Sequence, residues 1–151
     1  FVPPTDTNVI LSEKTHEMDD GDLPPAPKKI LILDDDPALG DSLKLRLEGD
    51  GFQVACVTSG VDGLKLVMGE KFDVVVCDMG MPNMPGDMFY KAGERTKPYL
   101  TKRFIFITGH AGNPDIDQFI RSVRGLMLWK PFEHHQLLEA VEAVLKKAEA
   151  G

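Results

Sequence analysis

The sequence predicts a doubly wound α/β domain, and three observations carry that expectation. Five short apolar runs recur, near residues 29–34, 52–57, 73–77, 103–108 and 126–129. Each is followed by a segment fit to be a helix. The run Lys29-Ile30-Leu31-Ile32-Leu33 is too apolar for a half-exposed strand and predicts burial on both faces. Alternation of strand and helix gives a parallel sheet, and right-handed crossovers put helices on both of its faces.

The elements follow in order. After the first strand, Pro37 suits the first turn of a helix, Leu39, Leu43 and Leu47 recur at helical spacing, and Gly49 or Gly51 stops it. The second strand covers roughly 52–57, with a helix near 60–69. The third strand is 73–77, and a loop with Pro82 and Pro85 leads to a helix near 86–95. The fourth strand is 103–108. Gly112-Asn113-Pro114 opens a helix through Ile116, Phe119, Ile120 and Val123. The fifth strand, 126–129, precedes a helix from about 133 to 149 with Leu137, Leu138, Val141, Val144 and Leu145 on one face. Residues 1–28 differ: Pro3, Pro4, Pro24, Pro25 and Pro27 and the acids Glu13, Glu17, Asp19, Asp20 and Asp22 mark an acidic, proline-rich linker or tail before a domain at 29–149.

Composition narrows the classes. A chain of 151 residues holds one domain of ordinary size. Its 42% hydrophobic and 27% charged residues are normal for a globular protein. A net charge of −7 offers no basic stripe for nucleic acid. No apolar stretch is long enough for a membrane span, and no signal peptide is visible. Cys56 and Cys77 fall inside apolar strand-like runs, so a disulfide is not expected and a cytoplasmic location is. The chain begins with Phe1 and not Met, which suggests a fragment of a longer protein.

Four groups sit where those runs end: Asp34-Asp35-Asp36, Asp78, Thr108 and Lys130-Pro131. In a parallel sheet the carboxyl ends of the strands share one edge, where ligands bind. Asp34, Asp35 and Asp78 would meet there. Two like charges about 4 Å apart repel by ~4 kcal/mol at an effective dielectric near 20, so three carboxylates together call for a cation. Oxygen-only ligands select a hard ion, and Mg²⁺ suits a site that also takes a phosphate.

These motifs, in this order and at these intervals, resemble the receiver domain of two-component response regulators over about residues 29–148. The resemblance implies a flavodoxin-like sheet of order 2-1-3-4-5. It implies that Asp35 and Asp78 bind Mg²⁺ directly, that Asp34 does so through water, and that the Gly80 carbonyl is a further ligand. Asp78 would be the acceptor of a phosphoryl group from a phosphohistidine, on a histidine kinase or a histidine phosphotransfer domain. Lys130 would meet phosphoryl oxygens, Thr108 would donate its hydroxyl and pull the fourth loop inward, and Lys130-Pro131 would be a cis bond. Such a domain is a self-phosphorylating acceptor and not a classical enzyme, and a phosphorylation-dependent dimer is compatible with it.

The chain departs from the family pattern three residues before the lysine, where Met127 replaces the usual Tyr or Phe. Trp129 shares the face of Met127 and is a candidate for the aromatic switch role. Gly80 and Gly109 flank the site without side chains, which predicts ready hydrolysis of an aspartyl phosphate. His110 is a candidate rim residue, and the methionines at 79, 81, 84 and 88 read as loop packing. Adjacent helical positions do not share a face, so His134-His135 is not read as a metal or relay pair. Two other functions compete. Asp34-Asp35-Asp36-Pro37-Ala38 also fits the Asp-x-Asp motif of haloacid-dehalogenase-like phosphatases, but this leaves Asp78 unexplained and offers after the lysine only acids in helical context, such as Glu133 and Glu139. A receiver fold acting purely as an interaction module is the other, against which all acceptor positions are intact. Phe1-Val2-Pro3-Pro4 resembles the close of a histidine-kinase ATP-binding domain, which suggests the C-terminal receiver of a hybrid kinase; a free-standing regulator or one without its output domain are the alternatives.

Overall fold

The apolar runs become five parallel strands: β1 (Lys29–Leu33), β2 (Gln53–Val57), β3 (Val74–Asp78), β4 (Phe104–Thr108) and β5 (Leu126–Trp129). This computed structural model describes residues 26–81, 84–109, 114–123 and 125–150. Most of the acidic tail therefore lies outside the described residues, as do Pro82, His110, Gly112 and Asn113. The sheet order is β2-β1-β3-β4-β5, with parallel pairing throughout. That is the flavodoxin-like order the sequence led us to expect.

Burial explains why the runs read so differently from alternating strands. Every residue of β3 and β4 is buried, as are Ile30 to Leu33 of β1. The edge strands are less covered: Gln53 of β2 is exposed, and so are Leu126 and Trp129 of β5. Alternate residues of each central strand feed two separate cores. Leu31, Leu33, Val75, Cys77, Phe104 and Phe106 face one. Ile30, Ile32, Val74, Val76, Ile105 and Ile107 face the other.

The helices divide accordingly. α1 (Pro37–Gly49) and α5 (His134–Ala150) cover the second core with Leu43, Leu47, Leu137, Val141 and Val144. α2 (Gly60–Gly69), α3 (Gly86–Thr96) and α4 (Pro114–Val123) cover the first, with Val67, Phe89, Tyr90 and Ile120 among their buried residues. Local signals start and stop these helices. Asp36 caps α1, its carboxylate accepting from the Ala38 and Leu39 amides, and Pro37 follows in the first turn. Gly51, just past α1, has φ +99°, which glycine adopts without a Cβ clash. Ser59 caps α2 by accepting from the Asp62 amide. A short 3₁₀ turn, Pro98–Lys102, was not anticipated; it is anchored by the fully buried Leu100.

The first core is aromatic. Tyr90 packs edge-on to Phe104 with ring centroids 4.9 Å apart, and Phe106 meets Phe104 and Phe119. Such pairs add to the area term at ~0.5–1.5 kcal/mol each. Phe106 is fully buried at the middle of this cluster. Phe106→Ala is expected to lower stability by about 3–5 kcal/mol, measured as the shift in urea midpoint at unchanged m-value.

Candidate functional site

Strand geometry delivers each polar side chain to one edge. Asp34 is the first residue past β1, and its amide still donates to the Val57 carbonyl at 3.2 Å. Asp78 is the last residue of β3, between β1 and β4. Thr108 ends β4 and is buried. Lys130 follows β5, and its amide donates to the Thr108 carbonyl at 2.9 Å, tying the two strand ends together. The Lys130-Pro131 peptide is cis, as expected.

The side chains converge. Oxygens of Asp34, Asp35 and Asp78 lie within 4.8 Å of one another. The Lys130 ammonium stands 3.0 Å from Asp34 Oδ2 and donates to Asp78 Oδ2 at 3.3 Å. The remaining oxygens are held by backbone: Asp34 Oδ1 accepts from the Asp36 amide at 2.9 Å, and Asp78 Oδ1 accepts from the Gly80 amide at 3.0 Å. Asp34 and Asp78 are buried, whereas Asp35 is exposed. Close approach of α3 helps to shape this wall: a Cβ on Gly86 would lie 3.0 Å from the Asp78 carbonyl oxygen.

Electrostatics follow from that packing. Burial pushes the Asp34 carboxyl above its ordinary range; the Asp36 amide and the Lys130 ammonium pull the other way, and the nearby Asp78 charge adds to the rise. Lys130 moves up. Burial alone would lower it, but the Asp34 carboxylate and the charge of Asp78 more than offset that. The lysine therefore stays cationic at neutral pH.

The arrangement suits a hard divalent cation. All donors in the cluster are oxygens. Asp34 Oδ2 is buried with the lysine near it but no donor aligned for a hydrogen bond, which leaves a lone pair for a further positive group. The exposed Asp35 keeps one side of the cluster open to water and ligand.

Other residues singled out in the sequence fall in different places. Met127 is half-buried opposite Phe106 and packs on the aromatic core, while Trp129 lies opposite Thr108 and is 40% exposed. Met79 and Met81 are buried and Met84 packs against the same core, so those methionines are loop packing; Met88 is exposed. His134 and His135 diverge, His134 Nε2 lying 2.7 Å from Asp50 Oδ2 and His135 Nδ1 3.4 Å from Glu133 Oε2. Glu133 and Glu139 are exposed and stand outside the carboxylate cluster, which includes Asp78. Sequence reasoning missed Asp36 as a helix cap, although an Asp just before Pro37 is the signal for one.

Comparison with known proteins fixes the class. Residues 30–142 match the response regulator receiver domain family, and the chain belongs to that family. Over 122 residues it is 30% identical to the transcriptional regulatory protein GlrR of Escherichia coli (strain K12), spanning 81% of this chain and 27% of that protein. It is 29% identical over 120 residues to the sensor kinase CckA of Brucella abortus (strain 2308), spanning 78% of this chain and 12% of that protein. The chain thus spans about a quarter of the first relative's length and less of the second's. Among solved structures, a CheY-like receiver domain protein from Methanospirillum hungatei JF-1 superimposes with a TM-score of 0.76 at 29% identity, over 82% of this chain and 98% of that one. The chemotaxis protein CheY4 of Vibrio cholerae gives 0.72 at 28% identity, over 80% of this chain and all (100%) of that one. No helix among the described residues is long and apolar enough to cross a membrane.

A carboxyl whose folded pKa lies above its unfolded one binds protons more readily in the folded chain. Asp34 therefore costs stability at neutral pH, and that cost fades as pH falls toward the unfolded value of 3.8. Asp34→Asn is expected to raise the urea midpoint at pH 7, with the gain shrinking as pH falls toward 3.8; an unchanged or lowered midpoint at pH 7 would contradict this account of Asp34.

Proposed function

We propose that this domain accepts a phosphoryl group on Asp78 from a phosphohistidine, on a sensor histidine kinase or a histidine phosphotransfer domain, and changes conformation in response. The observation that carries this is the position of the Asp78 carboxylate. It ends the central strand, 3.3 Å from a charged lysine and within a three-carboxylate cluster. An Asp78 oxygen attacks phosphorus, the phosphorus–nitrogen bond breaks, and the imidazole leaves with the electron pair and takes up a proton. The Gly80 amide orients the carboxylate from the other side.

Mg²⁺ would be held directly by Asp35 and Asp78, through water by Asp34, and by the Gly80 carbonyl; when bound it neutralises charge on the transferring group. Lys130 supplies the second positive charge. Before transfer it compensates Asp34 and Asp78; after transfer it swings its ammonium toward phosphoryl oxygens. The Thr108 hydroxyl then donates to the same group and draws the end of β4 inward. Met127 and Trp129 sit on the strand beside it, so repacking there would carry the change outward to an exposed surface. Gly80 and Gly109 are both exposed and leave the site open to water, which favours fast loss of the phosphoryl group.

The wider context is also our inference. We read residues 1–28 as a linker and favour an origin as the C-terminal receiver of a hybrid histidine kinase in the cytoplasm. Support comes from the proline-rich segment after Phe1-Val2 and from the similarity to part of the sensor kinase CckA. The similarity to GlrR supports a separate regulator to the same degree.

Incubation with acetyl phosphate and Mg²⁺ is expected to add one phosphoryl group, seen as a single mass increment that hydroxylamine removes. Asp78→Asn should abolish it, and chelation should suppress it; labelling that persists in Asp78→Asn would refute the assignment. Trp129 fluorescence should change with Mg²⁺ and then with beryllofluoride in the wild type only. Gly80→Arg is expected to slow loss of the phosphoryl group several-fold, read by the decay of labelled protein.

A further inference from the structure

The opposite, amino-terminal edge of the sheet carries a feature that phosphoryl acceptance does not use. A cleft of about 540 Å³ opens between the end of α2 and the segment joining α3 to β4, lined by Glu70, Lys71, Lys97, Tyr99 and Arg103 among others. Its charge is unbalanced. Glu70 is already paired with Lys29. Asp73, beside it, accepts from the Lys29 amide at 2.8 Å and has Arg103 Nη1 at 4.0 Å. Lys71 and Lys97 then remain without an acidic partner among the described residues. Two uncompensated ammonium groups gathered in one cleft stand out on a chain whose net charge is −7.

The cleft is also built rather than accidental. The Tyr99 hydroxyl accepts from the amide of the buried Phe72 at 3.1 Å, which fixes the ring. The Arg103 guanidinium lies 6.0 Å from that ring's centroid and donates to the Asp73 carbonyl at 3.1 Å. These contacts hold Tyr99 and Arg103 in place, and Lys71 and Lys97 line the cleft beside them.

The chain's own sequence holds a matching anion. From Glu13 to Asp22 there are five carboxylates, Glu13, Glu17, Asp19, Asp20 and Asp22, against the single Lys14. This segment lies outside the described residues. The start of the domain, to which it is joined, does not. Lys29 begins β1, and its side chain reaches the cleft wall at Glu70. Asp22 is seven residues before Lys29 and so can lie up to about 24 Å from it. Each exposed ion pair is weak by itself. A short tether supplies an effective concentration on the order of millimolar, which makes several weak pairs sufficient.

We propose that the acidic segment from Glu17 to Asp22 docks in the cleft bearing Lys71 and Lys97 of the same chain. This clamps the segment before the domain against the amino edge of the sheet and leaves the carboxyl edge open to a phosphodonor. The inference is independent of the chemistry assigned to Asp78.

The test uses the full chain and backbone amide resonances. In low salt, the amides of Lys71, Lys97, Tyr99 and Arg103 should differ between wild type and Asp19→Asn/Asp20→Asn/Asp22→Asn. The two spectra should converge in high salt, where such pairs are screened. Lys71→Gln/Lys97→Gln should in turn shift the amides of Asp19, Asp20 and Asp22. Coincident low-salt spectra would overturn the proposal. So would differences that grow with protein concentration, since the segment would then dock on a second copy. Inorganic phosphate shifting the cleft amides equally in wild type and the triple variant would also overturn it, by showing a cleft open to free anions.

Discussion

One lysine stands among three carboxylates, and the site depends on that imbalance. Lys130 lies 3.0 Å from Asp34 and 3.3 Å from Asp78, so its single positive charge is shared between two buried carboxylates, with the exposed Asp35 beside them. A buried carboxylate without compensation is costly. The cluster is consequently a held charge excess, open on the side of Asp35. Its natural relief is a further cation or a change in which oxygens the lysine serves. Both are what phosphoryl acceptance asks of a site.

That excess is possible because the surrounding fold is over-determined. β3 and β4 are buried along their whole length and packed on both faces by helices. Strands fixed in this way have no freedom to splay and separate Asp78 from Asp34. Freedom to adjust is left to the junction of β5 with Pro131 and to the half-covered edge strand β5. Thr108 and Trp129 pair across β4 and β5 at that margin, so a change at the carboxylate cluster would have a short route to exposed surface. Met127 replaces the family's usual aromatic there. It packs half-buried against the aromatic core, whereas Trp129 is exposed.

The two edges of the sheet are electrostatic opposites. The carboxyl edge gathers acid around one base, and the amino edge leaves Lys71 and Lys97 beyond what Glu70 and Asp73 require. Placing them at opposite ends keeps surplus lysines from neutralising the carboxylate cluster.

Sequence alone determined the strand runs, the helix faces and the residues at strand ends. These are local: a buried parallel strand must be continuously apolar, and a helix on its face must repeat every three to four residues. Asp34, Asp78, Thr108 and Lys130 were legible because a polar residue ending such a run has one place to go. Tertiary structure decided what periodicity does not encode. It put Met127 on the core and Trp129 at the surface, although they share a strand face, because β5 is an edge strand whose end is uncovered. It also paired Glu70 with Lys29 and Asp73 with Arg103 and left Lys71 and Lys97 without an acidic partner among the described residues, because residues far apart in the chain meet only once the sheet has formed.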